Sequence, residues 1–344
     1  MASFLKDTRI CRYFLFQHFK ENTLRAITRH LGVSATDQSR SDAFKGIKHA
    51  MLNYLWDAEE YFSYDYEHIT PAQRESYWPA FLKLAFSCKV NDKAQGTVMN
   101  HKFMTYLAYY DYFKRDVLLI NDSDSLNTGQ FKVFFSKHHR FIVKNAIGSE
   151  GIGAYVVDAS DINDAISEVC KDSENKHWPF VVEEFIQQDE RLAKFHPSSV
   201  NTLRVYSMRF DNRVEILGSM MRFGQGDACV DNRSNGGIVL ALDNQGIGIA
   251  SRTGTTEYVF HPDSGQPLIG FEVPMWKEAI DLVKEMVNVL PGVRYVGWDL
   301  ALTSSGWVLV ECNCAANIVG LQNSLQQGFK PKFMQILNEL DIRL

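Results

Sequence analysis

A chain of 344 residues with 45% hydrophobic side chains is long enough to bury more than one core and to divide into two or three domains. Its formal net charge is −5 and it has no long basic block, which argues against broad nucleic-acid binding. No apolar run reaches membrane-spanning length.

The first residues carry Lys6, Asp7, Arg9 and Arg12 through what would have to be the apolar core of a signal peptide, so a cytoplasmic location is expected. The six cysteines are then read as thiols rather than disulfides or zinc ligands. Residues 1–95 read as a helical, aromatic-rich region. Phe44, Ile47, Met51 and Leu55 follow a helical period behind Ser41 as N-cap. Thr70 before Pro71 marks another helix start. The aromatics are assigned to core packing. No paired carboxylates, nucleophile–base arrangement or glycine loop occurs in this region.

From residue 96 the chain becomes mixed. A helix is expected over 101–113 and a short strand over 117–120. Strands at Phe141–Lys144 and Ala154–Val157 flank a loop bearing Gly148, Gly151 and Gly153. Its spacing matches neither the dinucleotide fingerprint nor the P-loop. Such a hairpin can lay its N–H groups over a polyphosphate with Lys144 beside it, or it can be a flexible turn next to a surface lysine. The apolar strand Phe180–Val182 runs into Glu183 and Glu184. Two successive acids cannot both face a core, and backbone groups around Glu184 to Ile186 could read an adenine edge. Residues 198–210 and 214–224 form a further hairpin around Asp211-Asn212, with Thr202, Arg204, Tyr206 and Met208 on one face.

Tyr295–Thr303 and Gly306–Cys314 flank a Ser304-Ser305-Gly306 turn. Strict alternation places Asp299 with Gly297 and Ala301, and Glu311 with Asn313. Val308, Val310, Cys312 and Cys314 fall on the other face. Two carboxylates and a carboxamide where a core should be require compensation. Magnesium would supply it with hard-oxygen coordination, and so would a nearby Lys or Arg.

In this order, FIVKNAIGSEGIG, VVEEFI, SSVNTLRVYS, MRFGQGDACVDNRSNGGI, FHPDSGQPLIGFEVPMW, VGWDLAL and VECN resemble the sugar-transfer-associated branch of the ATP-grasp superfamily. The resemblance implies an α+β ATP-grasp fold, two α+β subdomains gripping ATP, over residues 96–344 behind the N-terminal helical region. The glycine loop and hinge would occupy about 140–190, and the catalytic, metal-binding part about 195–344. It implies ATP and Mg²⁺ as cofactors. Lys144 and Lys102 would contact phosphate beside Gly148, Gly151 and Gly153. Glu183, Glu184 and Ile186 would form the hinge, and Glu190 or Asp189 would hold ribose. Asp299, Glu311 and Asn313 would bind metal.

The implied chemistry is phosphoryl transfer to a carboxylate, followed by attack of an amine on the acyl phosphate. Arg204 and Arg222 would steady the developing charge. Asn201, Asp231 and Asn232 would hold ligand or phosphate. His261 would be a general base for the amine or the start of a loop before Pro262. Arg222, Arg233 and Arg252 are assigned to carboxylate recognition. The partners are therefore a small-molecule carboxylate and an amine, with a sugar acid and an amino acid suggested by the family association with polysaccharide or natural-product biosynthesis. A phosphotransferase is the alternative, and an inactive binding module is a third reading.

Overall fold

A computed structural model describes residues 9–148, 153–171, 178–227 and 236–344. Gly151, Asp231, Asn232 and Arg233 lie outside the described residues.

The N-terminal region is helical as expected. Its Asp37–Tyr54 helix begins four residues ahead of Ser41, because the Thr36 hydroxyl accepts the Ser39 N–H at 3.1 Å and caps the first turn. Ala43, Ile47, Ala50 and Met51 form its buried stripe. The Thr70-Pro71 start is a capping box with Gln73. Trp56, Tyr61, Tyr64, Tyr66 and Tyr77 pack on this stripe, so these aromatics are core. The expected 101–113 helix breaks at Tyr109 into Lys102–Ala108 and Tyr110–Phe113.

Two antiparallel sheets follow. The smaller comprises β1 (Val117–Ile120), β2 (Arg140–Asn145), β3 (Tyr155–Asp158) and β4 (Phe180–Glu184), in the order β1-β4-β2-β3. Phe141, Val143, Phe180 and Val182 point from one face into a core closed by the helices Gly129–Lys137 and Ile162–Lys171. Alternation sends Ile142, Lys144, Val181 and Glu183 to the opposite face.

The larger sheet comprises β5 (Thr202–Arg209), β6 (Val214–Phe223), β7 (Ile238–Leu242), β8 (Gly248–Thr253), β9 (Thr256–Glu257), β10 (Tyr295–Thr303) and β11 (Gly306–Asn313). Its order is β11-β10-β5-β6-β7-β8-β9. Leu203, Val205, Met221, Trp298, Leu300 and Leu309 pack from one face against Ala279, Val283 and Met286 of the helix Trp276–Met286. On the other face Tyr206, Met208, Met220 and Tyr295 pack against Leu321, Phe333 and Ile336.

Strict alternation fails once in β11. The register passes from Asp299↔Glu311 to Leu300↔Leu309, so Val310 is an extra residue. Val308 consequently pairs with Ala301 on the Asp299 side, where simple alternation placed it opposite. Cys312 and Leu309 enter the core behind the sheet.

The N-terminal helices are held to the large-sheet half through the helix Val319–Leu325. The buried Gln322 amide accepts the Trp78 and Phe329 N–H groups at 2.8 and 2.9 Å and donates to the Tyr64 hydroxyl and the Trp78 carbonyl, both at 2.9 Å. All of its hydrogen-bonding capacity is spent, so the burial of this polar group carries no unmet cost.

Candidate functional site

Between the sheets lies a cleft of about 1050 Å³. The small sheet and the preceding helix contribute Lys102, Lys144, Gly148 and Glu183 to its lining; the large sheet contributes Arg204, Arg222, Glu311 and Asn313. These are residues that the sequence singled out, brought together from segments some two hundred positions apart.

On the large sheet the arrangement follows from register. Asp299 of β10 lies directly between Arg204 of β5 and Glu311 of β11. Thr202, two residues before Arg204 and on the same face, pairs with Arg222 of β6. The Asp299 side chain is 0% exposed. Its Oδ1 accepts from Arg204 Nε at 2.5 Å and lies 2.8 Å from Arg222 Nη2; its Oδ2 accepts from Arg204 Nη2 at 2.6 Å. Arg222 also donates from Nε to the Thr202 hydroxyl at 3.0 Å. Burial pushes the Asp299 carboxyl up, but the two guanidinium charges outweigh it and hold it below the usual carboxylate range. Burial works against the charge on Arg204, and Asp299 beside it raises its affinity for the proton nonetheless.

Of the two compensations the sequence left open, arginine therefore serves Asp299. Glu311 and Asn313 stand differently. Asn313 Nδ2 donates to Glu311 Oε1 at 3.2 Å, and both residues line the cleft. A carboxylate and an amide oxygen on one strand face suit a magnesium ion as donors. Asp299, beside them, already accepts from Arg204 at both oxygens and lies 2.8 Å from Arg222.

On the small sheet Glu183 pairs with two cations. It is 3% exposed and faces the cleft side, with Oε2 3.1 Å from Lys144 Nζ and 2.7 Å from Arg115 Nη2. Burial pushes its carboxyl up, but Lys144 and Arg115 prevail and hold it at about 2. Arg115 escaped the sequence reading. It also donates to the carbonyls of Leu309 and Val310 at 2.6 and 3.2 Å, which ties the small sheet to the bulge of β11. A lone arginine ahead of a short apolar strand gave no signal for this bridging position. Lys102 donates from Nζ to the Gly148 carbonyl at 2.8 Å, and burial pulls its pKa down. Gly148 and Gly153 both adopt positive φ, 137° and 77°, a region that glycine enters without steric cost.

The other expected site residues are not among those that line the cleft. Glu184 donates its N–H to the Asp116 carbonyl at 2.9 Å and accepts the Asp116 N–H at 3.0 Å, beside a His138–Asp116 contact of 2.8 Å. Phe185 and Ile186 lie just beyond β4, outside the strand ladder. Glu190 is exposed, and Asp189 caps the short helix Glu190–Ala193 while pairing with Arg191 at 2.8 Å. Asn201 is fully buried, and its amide donates to Gln188 Oε1 and to the Leu192 and His196 carbonyls. His261 is 1% exposed and spends Nε2 on the Gly224 carbonyl at 2.8 Å and Nδ1 on the Asp263 N–H at 3.3 Å. It reads as the start of a loop and not as a base in the cleft. Arg252 pairs with Glu257 at 3.1 Å.

Among solved structures, the chain is similar to D-alanyl-alanine synthetase A from Vibrio cholerae, at 15% identity over 72% of this chain and 67% of that one, with a TM-score of 0.47. It is similar to a D-alanine–D-alanine ligase from Bacillus anthracis at 13% identity over 80% and 76%, TM-score 0.45. An L-amino acid ligase from Bacillus licheniformis gives 12% identity over 69% of this chain and 48% of that one, TM-score 0.42. The sequence has no significant match among curated proteins. The family described as sugar-transfer associated ATP-grasp matches residues 81–338, three quarters of the chain, and the two-sheet cleft has the form that such a fold requires. The chain belongs to the sugar-transfer-associated ATP-grasp family.

Proposed function

We propose that this protein is an ATP-dependent ligase that joins a carboxylate to an amine through an acyl phosphate. The observation that supports this most is the opposition of Lys102 and Lys144, on one wall of the cleft, to Arg204, Arg222 and Glu311 on the other. Phosphoryl transfer demands positioning and charge neutralisation more than a protein nucleophile, and no such nucleophile is needed here.

In this reading Lys144, fixed by Glu183, and Lys102 neutralise the phosphates of ATP beside the glycine loop. The Phe185–Ile186 backbone meets the adenine edge, and Glu190 is the ribose ligand. A substrate carboxylate oxygen attacks the γ-phosphorus, and the bond to the bridging oxygen of ADP breaks. The amine nitrogen then adds to the acyl carbon, phosphate leaves, and the nitrogen gives up its proton to solvent. Arg204 and Arg222, held by Asp299, face the charge that builds on the transferring group and on the tetrahedral intermediate. Glu311 and Asn313 would hold Mg²⁺, which when bound would neutralise phosphate charge.

The acid is proposed to be a sugar acid or related carboxylate, and the amine an amino acid or simple amine. No helix among the described residues is long and apolar enough to cross a membrane. Consumption of ATP suits the cytoplasm, which is the location proposed.

The test is ADP release measured over uronic acids crossed with amino acids, with products identified by mass. ADP formation that requires both components, with an amide product, is expected. ADP formation with a single hydroxyl acceptor and no amine would replace the ligase with a phosphotransferase.

A further inference from the structure

The cleft does not end at the reacting groups. Arg29, His30, Glu59 and Ser63 of the N-terminal helices line its far part, together with Lys83 and Leu84 at the start of the helix Leu82–Val90. This wall is anchored, because Gln322 and the Gln326–Ser63 hydrogen bond of 3.0 Å fix the helices to the segment that follows β11. Two of its side chains share one carboxylate. Arg29 and His30 contact Glu59 at 2.6 and 3.1 Å, and the His30 ring stacks on Phe62 with centroids 4.3 Å apart.

Charge gives this wall a direction. The chain is net negative, yet six lysines and arginines line the cleft against three carboxylates. Four of those cations are on the sheets and the preceding helix, where the nucleotide and the reacting carboxylate are proposed to bind. The other two, Arg29 and Lys83, belong to the helical wall. Arg29 is balanced by Glu59, whereas Lys83 is half-buried and has no carboxylate partner among the described residues. A lysine turned into a large cleft without a counter-ion is suited to an anion carried by the ligand.

We infer that the N-terminal helical region is the acceptor subsite, and that Lys83 there recognises a second anionic group on the acceptor, distinct from the reacting carboxylate. The acceptor class is thus a sugar acid that also bears a phosphate. This rests on the ligase reading and narrows it.

The experiment is calorimetric titration of the full chain, preloaded with Mg²⁺ and a non-hydrolysable ATP analogue, with glucuronic acid 1-phosphate and with glucuronic acid. At least tenfold tighter binding of the phosphorylated acid is expected. Lys83→Met should erase that preference and Lys83→Arg should restore most of it, with binding of the ATP analogue equal in all three proteins. Equal affinity for the two acids, absence of binding by both, or an undiminished preference in Lys83→Met would overturn the inference. Binding of the ATP analogue is a separate readout that bears on the ligase reading alone.

Discussion

Arg204 lies across the bare Cα of Gly297: a Cβ built on that glycine would stand 3.4 Å from both Cδ and Nη1 of the arginine, and 2.5 Å from the Ala316 Cβ. Gly297 sits two residues before Asp299 on the same strand face. The glycine thus leaves the space through which the guanidinium reaches the carboxylate. Gly297→Ala is expected to displace Ala316, against which the new Cβ would clash, and to cost about 1–3 kcal/mol in stability, the usual range for overpacking. Thermal denaturation would show this loss, and an unchanged melting temperature would mean that the space is not needed.

Arg204→Ala and Arg222→Ala should lower turnover more than they weaken substrate binding, since the charge they face develops in the transition state. Removal of one such donor typically costs about 2.7–4 kcal/mol. Steady-state kinetics check this, and an effect confined to KM would assign both arginines to ground-state binding.

Lys144→Ala should weaken ATP binding by titration calorimetry. The cost has two parts, the lost phosphate contact and the loss of one of the two cations beside Glu183. Lys144→Arg keeps the second and should recover part of the affinity.

Asp299→Asn and Glu311→Gln separate anchoring from metal binding. Asp299→Asn leaves two buried guanidiniums without their anion, a change of about 3–5 kcal/mol by comparison with other broken buried pairs. Glu311→Gln preserves shape in a partly exposed position. It should melt close to the unaltered protein while losing Mn²⁺ binding, as read by paramagnetic resonance. Full Mn²⁺ affinity in Glu311→Gln would remove it from the metal site.

Acid should act through Glu183. Its folded pKa of about 2 lies below the ordinary 4.5, so the unfolded chain binds the proton more readily. The stability it contributes is complete above about pH 4.5 and is lost as pH falls toward 2. The shift corresponds to about 3 kcal/mol as an upper figure. Glu183→Gln should flatten the acid limb of a stability–pH curve in that window, and an equally steep limb would show that other carboxylates dominate.

Much of the site was legible because strand alternation is a short-range rule. It placed Glu311 with Asn313 on one face of β11, and Arg204 with Thr202 on one face of β5, before any pairing was known; the extra residue Val310 is what sets Asp299 beside Glu311. What failed was either a local irregularity or a long-range partner. The bulge at Val310 inverts Val308, and apolar residues on both sides of it gave no warning. Arg115 acquires its role only when β4 and β11 approach each other. The sequence could not show that two cations would meet Glu183. His261 followed the family motif, but its ring nitrogens are already engaged by its own loop and by Gly224.

The Gln322 anchor also has a bearing on synthesis. Its contact with Trp78 spans 244 positions. At about 5–20 residues per second, a ribosome needs roughly 10–50 s to cover that distance. Throughout that interval the Trp78 N–H and carbonyl and the Tyr64 hydroxyl lack the glutamine that will satisfy them. The N-terminal helices emerge ahead of the two sheets, yet they complete their packing only after the segment that follows β11 has been made.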